Sequence, residues 1–258
     1  MKEKSYLSYF FLLLYFLLPI IPVNNVVDRV GFDWLYLSVV NIAFFSITIK
    51  NNYQNFYSEN KLLLISIAAF IIFSFFSFFQ TQNITESIYE LTHYITYFAS
   101  FLVIYYLLNN SNFNFRIIIL FILVFGFIEV IIPLLRVGLD FFNGSSIERA
   151  RKYSGFAGNI NILTYSLVLK LPVFYYGFIR MRKSFLIKTF IILNLFLSLI
   201  LIFLLQSRGG YLALLLSSLI FFSYVLIKKR KYVKQLILFL SIILLSFSLV
   251  NQIQKSSK

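Results

Sequence analysis

The residues best suited to chemistry here are cations set beside glycines in a chain that is otherwise almost wholly apolar. The stretch 136–161, RVGLDFFNGSSIERARKYSGFAGNIN, is the longest polar break and carries Arg149, Arg151 and Lys152 among Gly138, Gly144, Gly155 and Gly158. Glycines reach positive φ, and backbone amides freed from secondary structure can point at an anion, to which the basic side chains add fixed charge. A solvated loop lying along a membrane would have the same composition. The second break is Gln206-Ser207-Arg208-Gly209-Gly210. The planar fork of Arg208 suits phosphate oxygens bidentately, and the Gly pair lets a ligand approach the amino end of the next helix, where the dipole favours an anion. Arg208 also fits a simple anchor that snorkels to water.

Two charges lie inside apolar runs. Glu129 and Lys170 would each cost about 3 kcal/mol or more if ionised alone in hydrocarbon. They lie about 9 and 12 Å below the outer ends of their runs at 1.5 Å per residue, so adjacent antiparallel helices would bring them level as an ion pair. His93 is the only histidine, with Glu90 three residues earlier on the same helical face. The two could act as base and orienter, which makes His93 a candidate catalytic residue, although a lone histidine at a membrane edge is more often packed or hydrogen-bonded.

The elements that must position these residues follow from composition. Of 258 residues, 60% are hydrophobic and 12% charged, with 33 Phe and 18 Tyr. A soluble domain is about half apolar and about a quarter charged, so a water-facing shell cannot be built from this chain. The absence of cysteine excludes thiol catalysis, disulfides and thiolate metal sites, and a single histidine leaves little for a metal centre. Continuous apolar runs, not alternating ones, predict membrane-spanning helices over 6–23, 34–49, 62–79, 91–108, 117–135, 162–179, 189–205, 211–227 and 236–250. The second and ninth of these are the short ones. The fold expected is therefore an all-α polytopic integral membrane protein, a single helical domain over 1–258 with about nine spans. Lys2 and Lys4 before the first run suggest a signal peptide, but the run lacks a small-residue cleavage site and is read as retained.

Most of the 23 Lys and Arg residues fall in alternate connections, notably Arg180, Arg182, Lys183 and Lys188, and Lys228, Lys229, Arg230, Lys231 and Lys234. Because such residues stay cytoplasmic, this pattern places the amino terminus in the cytoplasm and the carboxyl terminus outside. The net charge of +14 is then mainly a topology signal. It favours anionic lipid headgroups as partners over nucleic acid. Arg149, Arg151, Lys152 and Arg208 fall on the outer side, against the rule.

Arg151-Lys152-Tyr153-Ser154-Gly155-Phe156-Ala157-Gly158-Asn159-Ile160-Asn161, followed by an apolar span, resembles the bacterial O-antigen ligase and polymerase family, in which an arginine precedes a Gly-Phe-Gly-Asn-x-Asn-like stretch at the mouth of a helix. Gln206-Ser207-Arg208-Gly209-Gly210-Tyr211 looks like that family's second signature. The resemblance covers 149–215. It implies a bacterial cytoplasmic-membrane glycosyltransferase with an outward-facing site. Such an enzyme moves a glycan from a polyprenyl-diphosphate carrier to a saccharide or glycolipid acceptor, without metal, nucleotide sugar or other cofactor. It gives Arg151 and Arg208 the diphosphate, with Lys152 and Arg149 as further candidates and Gly155, Gly158, Asn159, Asn161, Ser207 and Gly209 as motif support. The family also has a later outer loop bearing a histidine-type base; residues 251–258 stand where that loop would begin, so the chain is expected to be an amino-terminal portion of a longer protein. The base role does not pass to His93, which is not at that position.

A transporter or flippase of a lipid-linked sugar and a non-catalytic scaffold remain the competing expectations. A transporter should show paired, Gly- or Pro-interrupted spans and ionisable groups near the midplane, whereas Pro19, Pro22, Pro133 and Pro172 form no evident repeat.

Overall fold

A computed structural model describes residues 2–18, 21, 29–48, 61–76, 81, 83–110, 115–143, 159–180, 185–228 and 230–256. Among the described residues there is no strand, and the α-helices are α1 (Lys2–Leu17), α2 (Arg29–Thr48), α3 (Lys61–Phe76), α4 (Ile84–Asn110), α5 (Phe115–Phe142), α6 (Ile160–Arg180), α7 (Phe185–Leu205), α8 (Arg208–Lys228) and α9 (Val233–Ser256). The all-α expectation holds. Six helices, α4 to α9, are long and apolar enough to cross a membrane, whereas the apolar stretches of the first three, Tyr6–Leu17, Gly31–Ile47 and Lys61–Phe76, are shorter. Length and composition are thus those of a multi-pass membrane protein.

Several helices outrun the apolar runs that announced them. Helix α4 begins at Ile84 because Asn83 caps it: the Asn83 Oδ1 accepts from the Glu86 amide at 3.2 Å and its Nδ2 donates to the Glu86 carboxylate at 3.2 Å. Helix α5 continues through Arg136 to Phe142, seven residues past the expected end, so Gly138 is helical and does not open a loop. The ninth run, expected to be short, lies in a helix of 24 residues. Polar flanks such as Lys234-Gln235 and Asn251-Gln252 carry no helix-breaking chemistry, so hydropathy ends before the hydrogen-bond ladder does. Pro133 and Pro172 sit inside α5 and α6, each removing one donor from its helix's hydrogen-bond ladder.

The helices form two compact units, α1 to α4 and α5 to α9. In the first, Phe11, Val40, Phe44, Val103 and Leu107 make the apolar core. A polar seam joins α2 to α4. Ser38 Oγ lies 3.4 Å from Thr96 Oγ1, and Asn41 Nδ2 donates to the Thr96 carbonyl at 3.2 Å and to Ser100 Oγ at 3.0 Å. The near-constant offset makes the two helices parallel. Tyr15 from α1 donates to Asn41 Oδ1, and Tyr36 donates to the Leu14 carbonyl at 2.9 Å, which closes the seam against α1.

In the second unit α7 is the central element: Ile191, Leu195, Leu199, Leu201 and Ile202 are fully buried. Helices α5, α6 and α9 pack around it, and its buried Asn194 and Ser198 suit protein neighbours better than lipid. Helices α5 and α6 run antiparallel, as the packing of Gly177 on Ile119 and of Gly126 on Phe174 requires. The expected ion pair forms between them. Lys170 Nζ bonds the Glu129 carboxylate, Ser166 Oγ donates to Glu129 Oε1 at 2.8 Å, and Lys170 Nζ donates to Ser166 Oγ at 2.6 Å.

Candidate functional site

The two signature stretches meet at the heads of α6 and α8. Asn159 caps α6: its Oδ1 accepts the Asn161 amide at 2.8 Å, and the Leu163 amide donates to its carbonyl at 3.0 Å. Ser207 caps α8 in the same way, with the Gly210 amide donating to its Oγ at 3.1 Å and the Tyr211 amide to its carbonyl at 3.0 Å. Both are residue types whose side-chain oxygens satisfy the orphan donors of a first turn. The hydroxyl proton of Ser207 then goes to Asn161 Oδ1 at 2.7 Å, so one cap is hydrogen-bonded to the other helix's first turn.

Helices α6 and α8 are parallel. Asn161 pairs with Ser207, Thr164 with Gly210, and lower down the Tyr175 ring sits 4.8 Å from that of Phe221. Their positive dipole ends therefore lie side by side, and Arg208, the first residue of α8, is exposed there. The turn from α7 to α8 needs only Gln206 and Ser207. Gln206 takes a left-handed φ of 51°, and the Tyr211 hydroxyl donates to the Phe203 carbonyl at 3.0 Å across the turn. An exposed guanidinium beside two adjacent helix heads is an arrangement that attracts a phosphate or diphosphate.

The glycines serve a different end from the one expected. A Cβ on Gly209 would overlap the Tyr165 hydroxyl, and one on Gly210 would overlap the Thr164 methyl group. The pair lets α8 press against α6, and the space read as an approach for a ligand is filled by Tyr165 and Thr164. Neither of these two partners was singled out from the sequence, where a Thr and a Tyr in an apolar run carry no signal; their spacing from Asn161 by one helical turn was the available clue.

Of the sequence-predicted site residues, Asn159, Asn161, Ser207, Arg208 and Gly209 are brought together. Arg149, Arg151, Lys152, Gly155 and Gly158 lie outside the described residues. His93 belongs to the other unit and is 4% exposed, packed against Tyr89 at 4.2 Å and Trp34 at 5.8 Å between ring centroids, while Glu90 is exposed. Among the described residues no group of three or more His, Cys, Asp or Glu is placed to hold a metal ion. No protein-family model, curated protein or solved structure matches the chain.

Proposed function

We propose that the chain is a polytopic glycosyltransferase of the O-antigen ligase type, or the donor-binding part of one, acting on a polyprenyl-diphosphate-linked glycan at the outer face of the bacterial cytoplasmic membrane. In this reading nine apolar segments cross or enter the bilayer, the amino terminus is cytoplasmic and the carboxyl terminus outside. The observation that carries it is the Ser207–Asn161 hydrogen bond. It joins, across 46 residues, the two stretches on which the family resemblance rests, and leaves Arg208 exposed beside two helix amino ends.

An acceptor hydroxyl oxygen attacks the anomeric carbon and gives up its proton to water, the bond from that carbon to the diphosphate oxygen breaks, and the departing diphosphate keeps the electron pair. Arg208, with Arg151 from the preceding connection, neutralises the charge as it develops, which lowers the barrier more than it stabilises the bound donor. Ser207 and Asn159 hold the two helix ends that aim at the same anion. The Glu129–Lys170 pair neutralises itself, which leaves no unpaired charge there for a translocation path and favours transfer over transport.

Binding of a polyprenyl diphosphate to protein in lipid nanodiscs tests this. Arg208→Ala and Arg151→Ala should each weaken binding by about tenfold or more, while Arg116→Ala, a cation on the inner side in this topology, should not. Equal affinity in wild type and both outer variants would discard the diphosphate site.

A further inference from the structure

The parallel seam between α2 and α4 ends in a rung that its own residues do not satisfy. Asn41 has partners for both its side-chain atoms, and Ser38 has Thr96. One step nearer the helix starts, Trp34 faces His93 at the same register, with ring centroids 5.8 Å apart. There the indole Nε1 and the imidazole Nε2 are both buried without a hydrogen-bond partner among the described residues. His93 itself is 96% removed from solvent, at 4% exposure. Two unpaired polar atoms in an otherwise paired seam mark a position built for a third group.

The chemistry of the rung specifies that group. An indole N–H only donates, and a neutral imidazole protonated on Nδ1 accepts at Nε2. A hydroxyl answers both, accepting from Trp34 and donating to His93. Around them stand aromatic rings: Tyr89 at 4.2 Å from the His93 ring, and Tyr97 at 6.1 Å. Tyr89 and Tyr97 are 40% and 45% exposed, so the rings that close over the two buried nitrogens lie at the surface, and a sugar reaches the rung when Tyr89 swings aside. Flat ring faces beside one donor and one acceptor match the C–H face and the hydroxyls of a pyranose. We propose that Trp34 and His93, with Tyr89 as the ring that covers them, form a saccharide-binding subsite in the first helical unit. The choice of a saccharide over another hydroxyl compound rests on the glycan-transfer reading.

Trp34 is the only tryptophan, so emission excited at the red edge, where the 18 tyrosines do not absorb, reports on this rung alone. Protein in nanodiscs, free of sugar-based detergent, is titrated with glucose, galactose, N-acetylglucosamine and rhamnose, with glycerol as a hydroxyl compound lacking the ring. The expected result is a saturable emission change with at least one of these sugars and none with glycerol. The apparent affinity should fall about tenfold or more in His93→Phe, which keeps the ring and loses the acceptor, and stay within about threefold of wild type in His93→Gln. An unchanged affinity in His93→Phe, a response equal to glycerol's, or no saturable response to any of the four sugars in wild type overturns the subsite. The same titration in Arg208→Ala should be unaltered. Sugar binding lost with diphosphate binding intact sinks this inference alone, and the reverse result sinks only the diphosphate reading.

Discussion

Glu129 and Lys170 were legible as partners from sequence because each alone is too costly in hydrocarbon and their depths agree. Ser166 was not, since a serine among leucines can bond to its own helix and leaves no trace in hydropathy. Yet it is Ser166 that takes up Glu129 Oε1 and so completes the pair. Breaking such a pair leaves a buried charge, so Lys170→Met should destabilise the protein by about 3–5 kcal/mol. Glu129→Gln should cost less, because a neutral amide can still accept from Ser166 and Lys170. The double variant should be more stable than the sum of the two losses by about 1 kcal/mol or more, read from denaturant unfolding in detergent. Strict additivity would mean the contact holds nothing together. The same scale exposes the limit of reading His93 beside Glu90: helical spacing put them on one face, but only the packing of α2 decided that the imidazole turns inward to Trp34.

At the scale of the helix, sequence gave the right elements and misread one of their purposes. The Gly209-Gly210 pair was recognisable as a place where something comes close to the backbone. What comes close is α6, because a parallel neighbour offset by 46 residues cannot be deduced from two apolar runs. The two glycines should therefore differ. A methyl group at Gly209 meets the far end of Tyr165, a ring that is 42% exposed and can swing outward. One at Gly210 meets Thr164, whose Cβ lies 3.0 Å away and whose side chain is fully buried, with the Ser207 Cβ at 3.2 Å. Gly210→Ala should thus cost about 1–3 kcal/mol and weaken diphosphate binding by separating the helix heads, while Gly209→Ala should be close to neutral in both. Paired thermal melts and binding isotherms on the two variants check this; equal effects would mean that α8 does not rest on α6 through Gly210.

For the whole molecule, composition pointed to a bilayer, because 12% charged residues cannot cover a water-facing surface, and the continuous apolar runs pointed to helices. Span lengths were less legible. Hydropathy stops at the first polar residue, whereas α5 runs on through Arg136 and Asp140 to 28 residues, about 42 Å against roughly 30 Å of hydrocarbon. That excess leaves room for tilt or for a last turn standing in the headgroups, so Asn143, just beyond it, should be reachable from outside. The opposite end of the same unit carries Lys228 and the short helical turn Arg230–Tyr232 between α8 and α9, a cation-dense end that the proposed topology puts in the cytoplasm. A chain without cysteine gives no background in thiol labelling. Asn143→Cys should therefore react with a membrane-impermeant maleimide on intact cells, and Lys231→Cys only after the membrane is opened. The converse pattern would turn the heads of α6 and α8 toward the cytoplasm, where a carrier-linked glycan exported to the outer leaflet could not meet Arg208.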